Sequence, residues 1–128
     1  MIRLALLAVI LIAAESARSG PQADYLLYCR GCHLANGKST PPEVPSLHEL
    51  GPLLKSGRGR EYIIRVPGVS QTPMSDERLA AVLNWVVSEF NADSLPDGFK
   101  PFTADEVGKA RVNVLPDPKG YRAKILGR

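Results

Sequence analysis

The chain has 128 residues, the length of one ordinary domain. Apolar residues make up 45% and charged residues 23%, a balance typical of a globular protein. The formal net charge is only +3 and no dense basic stripe is visible, which argues against nucleic acid as a partner. Eleven prolines and eleven glycines predict a fold that is rich in loops.

Residues 1–19 have the layout of a secretory signal peptide. Arg3 gives a short positive start, residues 4–14 are all apolar, and small residues follow as far as Gly20. The apolar run is short for a membrane span, and an uncleaved anchor is the alternative. We therefore expect cleavage between residues 16 and 20, a periplasmic protein, and no stable membrane insertion afterwards.

The first helix is predicted over residues 21–29, with Pro21 near its first turn. It ends in Cys29-Arg30-Gly31-Cys32-His33, the pattern of haem attachment. Residues three and four apart share one face of a helical turn. Both thiols can therefore reach the two vinyl groups of one haem, and His33 can bind its iron. The pattern predicts one covalent haem c.

Other interpretations of the two cysteines remain open. A disulfide between Cys29 and Cys32 would close a very small loop and stabilise the fold little. A thioredoxin-like dithiol expects a preceding strand in a βαβ context, and a thiol oxidoreductase of this kind would contain no haem. A zinc site needs four ligands, and the only further histidine is His48. Chance occurrence is the last alternative.

Residues 34–54 read as a loop with four prolines. A metal-bound histidine usually donates its second ring N–H to a carbonyl, and a proline-rich loop under His33 would supply one. Pro45 is the candidate for that carbonyl, with an ordinary turn proline as the equal alternative.

A short helix is predicted over residues 61–66, stopped by Pro67 and Gly68. Tyr62 and Arg65 are candidates to reach a haem propionate, or are surface residues. The central region is also basic. It could form a docking surface, and scattered solvated charge is the equal alternative. The residues concerned are Lys38, Lys55, Arg58, Arg60 and Arg65.

Met74 is the only methionine that remains after removal of the signal segment. Pro73 stiffens the backbone directly before it, which suits a side chain held on a metal. We therefore predict Met74 as the second axial ligand of the iron, opposite His33. His48 is the competing ligand, and an open second site is the remaining alternative. A thioether ligand would raise the reduction potential relative to a second histidine.

The strongest helix signal covers residues 75–90, where apolar residues recur at three-and-four spacing. Trp85 is expected to pack against the first helix or the haem edge. After Phe90 the character changes, and Thr103 and Glu106 form a capping box that opens a helix to about Val112. Residues 113–128 look irregular.

Several short motifs together resemble the class I cytochrome c family over residues 21–90. They are Cys29-Arg30-Gly31-Cys32-His33, Gly37, Pro45-Ser46-Leu47, Tyr62-Ile63-Ile64, Pro73-Met74 and the final aromatic-bearing helix. The resemblance implies a small all-α fold wrapped around one covalent haem c, ligated by His33 and Met74, with one haem edge exposed. It divides the chain into a signal peptide (1–19), a cytochrome c domain (20–90) and a C-terminal extension (91–128) with a short helix and an irregular tail.

The expected function is electron transfer in the periplasm, as a free shuttle or as the haem subunit of a dehydrogenase. A periplasmic dehydrogenase would be the electron donor, and an oxidase or another cytochrome the acceptor. No nucleophile and base stand together in the sequence, so an enzyme is not predicted. The alternative is a haem protein with an open iron site, acting as a ligand sensor or a peroxidase-like enzyme.

Overall fold

The computed structural model describes residues 20–39 and 43–127. The predicted signal peptide (1–19) lies outside the described residues, as do Pro41 and Pro42. Within those ranges all regular elements are helical, which confirms the all-α fold class. None of the helices there is long and apolar enough to cross a bilayer.

The helices are labelled in chain order. They are α1 (Pro21–Tyr28), α2 (Arg30–His33), α3 (Gly51–Leu54), α4 (Gly57–Arg65), α5 (Pro67–Ser70), α6 (Asp76–Asn91), α7 (Ala104–Arg111) and α8 (Pro118–Leu126). Single turns of 3-10 helix cover Leu47–Glu49 and Ala92–Ser94.

Helix α6 runs through the centre of the core, as its apolar spacing predicts. Its inward face buries Leu79, Ala80, Val82, Leu83, Val86 and Val87. Helix α1 packs against it through Tyr25, whose ring is fully buried. The Tyr25 ring centroid lies 5.0 Å from that of Trp85 and 5.6 Å from that of Phe90. The expected packing of Trp85 against the first helix is therefore confirmed.

Helix α4 begins four residues earlier than the sequence predicts. The Ser56 hydroxyl accepts a hydrogen bond from the Gly59 N–H at 3.1 Å and so caps the first turn. Gly57 and Gly59 have low helix propensity, which hides this turn in the sequence. Gly59 is needed because α4 crosses the backbone of Leu53 too closely for a Cβ atom.

Part of the predicted loop is helical, since residues 47–54 form a 3-10 turn and helix α3. Leu50, Leu53 and Leu54 are buried in it. The Asn91 side chain at the end of α6 accepts from the Leu50 N–H at 3.0 Å and donates to the Leu47 carbonyl at 2.7 Å. Partners more than forty residues apart supply these bonds, so no local pattern could predict them.

The C-terminal extension shares the core of the preceding helices. Helix α7 packs against α6 and α4, and α8 packs against α4 and α3. Phe102, Val107 and Leu115 are buried in the same cluster as the core residues of α6. Helix α7 begins as predicted, with the Thr103 hydroxyl accepting from the Glu106 N–H at 3.1 Å.

The predicted irregular tail is wrong for residues 118–126, which form α8. The Asp117 carboxylate accepts from the Gly120 N–H at 2.9 Å, and Pro118 occupies the first helical position, where no N–H is required. Proline and glycine commonly end a helix, but here they lie at a helix start. Tyr121 then stacks on Tyr62 of α4, with 6.4 Å between centroids.

Candidate metal centre

The two cysteines and His33 lie in one helical turn at the junction of α1 and α2. The Cys29 carbonyl accepts from the N–H groups of Cys32 at 3.2 Å and His33 at 3.0 Å. Both thiols are free, and Cys29 packs against the core while Cys32 is exposed. The turn that the spacing predicts is therefore present, and the two thiols are not joined to each other.

The chemistry of Cys29 disfavours the dithiol interpretation. Burial, followed by the nearby Asp24 and Cys32, raises the pKa of the Cys29 thiol to about 11. Nucleophilic dithiols depend on a lowered pKa that supplies thiolate near neutral pH. Within the described ranges, moreover, no three His, Cys, Asp or Glu side chains cluster as a zinc site would need.

His33 combines a lowered pKa with a ring nitrogen that has no hydrogen-bond partner. Burial lowers the pKa of its imidazole, and the nearby Pro45 carbonyl opposes this more weakly. The ring is therefore neutral at neutral pH, the form that binds a metal. Its Nδ1 atom is buried and has no hydrogen-bond partner. Buried polar atoms of this kind require an explanation.

The backbone directly after His33 is strained, a feature that the sequence did not reveal. Leu34 has φ 58° and ψ 170°, a region that residues with a Cβ rarely adopt. The Tyr25 hydroxyl donates to the Leu34 carbonyl at 2.6 Å and holds this conformation.

Met74 is buried in the loop between α5 and α6, with 6% of its surface exposed. It belongs to the same apolar cluster against which Cys29 packs. The Ser75 hydroxyl accepts from the Arg78 N–H at 3.3 Å and starts α6 directly after the loop. Met74 is thus fixed between two helix termini.

His48, the competing ligand, is engaged elsewhere. Its Nε2 atom lies 2.7 Å from the Asn36 carbonyl, within hydrogen-bond distance. Its ring packs on Phe90, with 5.1 Å between centroids, and the residue is exposed. These contacts favour Met74 over His48 as a second ligand.

Two arginines of the basic central region bind the extension. Arg60 donates to both carboxylate oxygens of Glu106 at 2.7 Å, and its guanidinium lies 4.2 Å from the Phe102 ring centroid. Arg65 donates to the Asn113 carbonyl at 2.7 Å. These side chains therefore join α4 to the extension. Two of the five basic residues considered for a docking surface are thus engaged within the protein, which weakens that interpretation.

The all-α fold, the turn of two thiols before a neutral histidine and the buried methionine define a class of protein, the small single-haem c-type cytochromes. No protein-family model matches the chain. One protein named cytochrome c-552, from Thermus thermophilus, is 35% identical over an alignment 130 residues long, and the alignment covers 86% of this chain and 87% of that protein. Another Thermus thermophilus protein of the same name is 38% identical over an alignment 107 residues long, and the alignment covers 68% of this chain and 81% of the relative.

The chain therefore belongs to the class I, mono-haem cytochrome c family. Membership places it among haem c electron-transfer proteins. An alignment over 86% of the chain necessarily reaches beyond residue 90, so the similarity includes part of the extension.

Proposed function

We propose that the protein is a periplasmic electron carrier with one haem c, covalently attached to Cys29 and Cys32 and ligated by His33 and Met74. The observation that carries the proposal is the turn in which two free thiols precede a partly buried histidine with a lowered pKa. Haem c supplies a single iron that changes between Fe(II) and Fe(III) and so exchanges one electron at a time.

The residues present fit this group. Cys29 and Cys32 stand on one turn and would each form a thioether to it. His33 would use one ring nitrogen on the iron, and the Pro45 carbonyl would accept the N–H of the other. The unpartnered Nδ1 supports this assignment, because either the iron or the Pro45 carbonyl would give this buried atom a partner.

Met74 would close the second axial position. Its burial keeps water from the thioether, and its soft sulfur favours Fe(II) over Fe(III). With His33 and Met74 both bound to it, the iron would have no free position for a small molecule. This coordination favours an electron carrier over the open-site alternative.

The cellular setting is part of the same proposal. The signal-peptide layout of residues 1–19 supports export to the periplasm. We propose a periplasmic dehydrogenase as the donor and an oxidase or another cytochrome as the acceptor. The protein would serve them as a free shuttle or as a bound haem subunit.

Mass spectrometry of the secreted protein tests attachment. We expect the mature polypeptide plus the mass of one haem, and a start between residues 17 and 20. A bare peptide mass after maturation in a host that attaches haem c would contradict the proposal.

Optical spectroscopy of two variants tests the second ligand. Met74→Ala should abolish the weak far-red absorption band of methionine bound to ferric iron, lower the potential and admit carbon monoxide to the reduced protein. His48→Ala is the matched control and should keep the band. A native protein that lacks the band, and that admits carbon monoxide only when His48 is replaced, would assign the ligand to His48. A native protein that binds carbon monoxide readily would favour the open-site alternative.

A further inference from the structure

Arg111, in the last turn of α7, binds the backbone of the Met74 loop. Its guanidinium donates to the carbonyls of Ser70 at 3.0 Å, Thr72 at 2.6 Å and Met74 itself at 2.9 Å. A fourth bond reaches the Asp76 carboxylate at 3.0 Å. One side chain from the extension therefore binds four residues of the segment that carries the proposed iron ligand.

The loop has few other long-range bonds of this kind. Helix α5 is only four residues long and is too short to be stable by itself. Within the loop, the Thr72 hydroxyl donates to the Val69 carbonyl at 2.8 Å, a strictly local contact. The Arg111 contacts span 35 to 41 residues of sequence, and the Arg111 side chain is only 15% exposed. A planar guanidinium with fixed donor directions holds several carbonyls in one arrangement.

A glycine in α7 permits this close approach. A Cβ atom on Gly108 would lie 2.6 Å from Oδ2 of Asp76, the carboxylate whose other oxygen accepts from Arg111. Helix α7 thus packs on the start of α6 at a distance that a larger residue would increase. Two features of α7, the guanidinium of Arg111 and the absence of a side chain at Gly108, are therefore directed at the end of the Met74 loop and the start of α6.

We propose that Arg111 is the positioning residue for Met74, so that docking of α7 determines how firmly the thioether stays on the iron. The inference rests on the proposed His33 and Met74 ligation. Detachment of Met74 requires the loop to move, and the loop moves only when the Arg111 bonds break. The extension then has a role at the iron site, although it contributes no ligand.

Imidazole binding to the ferric holoprotein measures this effect, because imidazole must displace Met74. Arg111→Gln removes the guanidinium, so several hydrogen bonds to the loop carbonyls are lost. The variant should bind imidazole at least about tenfold more tightly than the native protein. Its far-red methionine band should weaken as well. Arg111→Lys keeps the charge but offers one compact ammonium, so it should give a smaller change in the same direction.

Arg60→Gln is the matched control. This variant also removes hydrogen bonds between the extension and the preceding helices, those from Arg60 to Glu106, but it keeps the bonds to the Met74 loop. We expect its imidazole affinity to stay within about twofold of native, although its stability to urea falls. Equal effects of the Arg60 and Arg111 variants on imidazole binding would overturn the proposal in favour of general loosening.

Two further outcomes are distinguishable. If the native protein lacks the methionine band, Met74 ligation itself fails, and the role of Arg111 fails with it. If the native protein has the band and both Arg111 variants bind imidazole as the native protein does, only the positioning role is overturned. Should Arg111→Gln not mature, Gly108→Ala tests the same docking of α7. We expect this variant to bind imidazole more tightly, and unchanged binding would contradict the proposal.

Discussion

The Tyr25 hydroxyl donates a hydrogen bond of 2.6 Å to the backbone carbonyl of Leu34, the residue after the proposed ligand His33. The phenol comes from the middle of α1 and its ring is fully buried between α1 and α6. Burial raises the pKa of Tyr25, so the hydroxyl keeps its proton and stays a donor at neutral pH. The helix that precedes the two cysteines thus also fixes the chain that leaves them.

Replacing Tyr25 with Phe tests this contact. The ring would still fill its site, but the Leu34 carbonyl would lose its donor, at a cost of about 1 kcal/mol in the free energy of unfolding. Urea denaturation of the holoprotein, followed by circular dichroism, measures the loss. Tyr28→Phe, at a partly exposed position, is the control and should change stability by less than about 0.5 kcal/mol. Equal losses would argue against the hydrogen bond.

Leu34 should tolerate Gly better than Ala. Its positive φ with extended ψ is a conformation that glycine adopts freely and other residues adopt with strain. Since Leu34 is 47% exposed, both substitutions remove little buried surface. We expect Leu34→Gly to be more stable than Leu34→Ala by about 1 kcal/mol in urea denaturation. The reverse order, usual for ordinary backbone, would contradict the strain.

Gly59 and Gly57 make a matched pair at the start of α4. A Cβ atom on Gly59 would collide with the backbone of Leu53, whereas one on Gly57 would meet nothing within 4 Å. Gly59→Ala should therefore destabilise the protein by about 2–4 kcal/mol, because neither backbone can give way cheaply. Gly57→Ala should be neutral or stabilise by up to about 1 kcal/mol. Thermal denaturation of both holoproteins measures the difference, and similar melting temperatures would refute it.

Arg60 should contribute far more to stability than an exposed ion pair. Arg60→Gln loses two bonds to Glu106 and the stack on Phe102, and we expect a loss of about 2–3 kcal/mol. Lys109→Gln breaks the exposed pair with Asp105 and should cost less than about 0.5 kcal/mol. Urea denaturation of the two variants checks this order, which an equal cost would contradict.

The extension shows where prediction from sequence failed. The start of α7 was predicted because the cap of Thr103 is a local signal over four residues. Yet the Glu106 carboxylate, expected to complete the capping box, binds Arg60 of α4 instead. Helix α8 was missed because its helix-favouring cap at Asp117 is followed by Pro118 and Gly120, and its packing partner Tyr62 lies far away in sequence.

The sequence by itself determined the features that depend on short spacing. The turn from Cys29 to His33 and the buried stripe of α6 follow from the period of a helix, which local residues set. Only the tertiary structure decided which side chains hold that site in place. Tyr25 on Leu34 and Arg111 on the Met74 loop are pairings between distant segments, and they exist because packing of the helices brings donors and carbonyls within reach. Residue spacing along the chain does not predict such contacts, because their geometry is set only when the helices pack into the core.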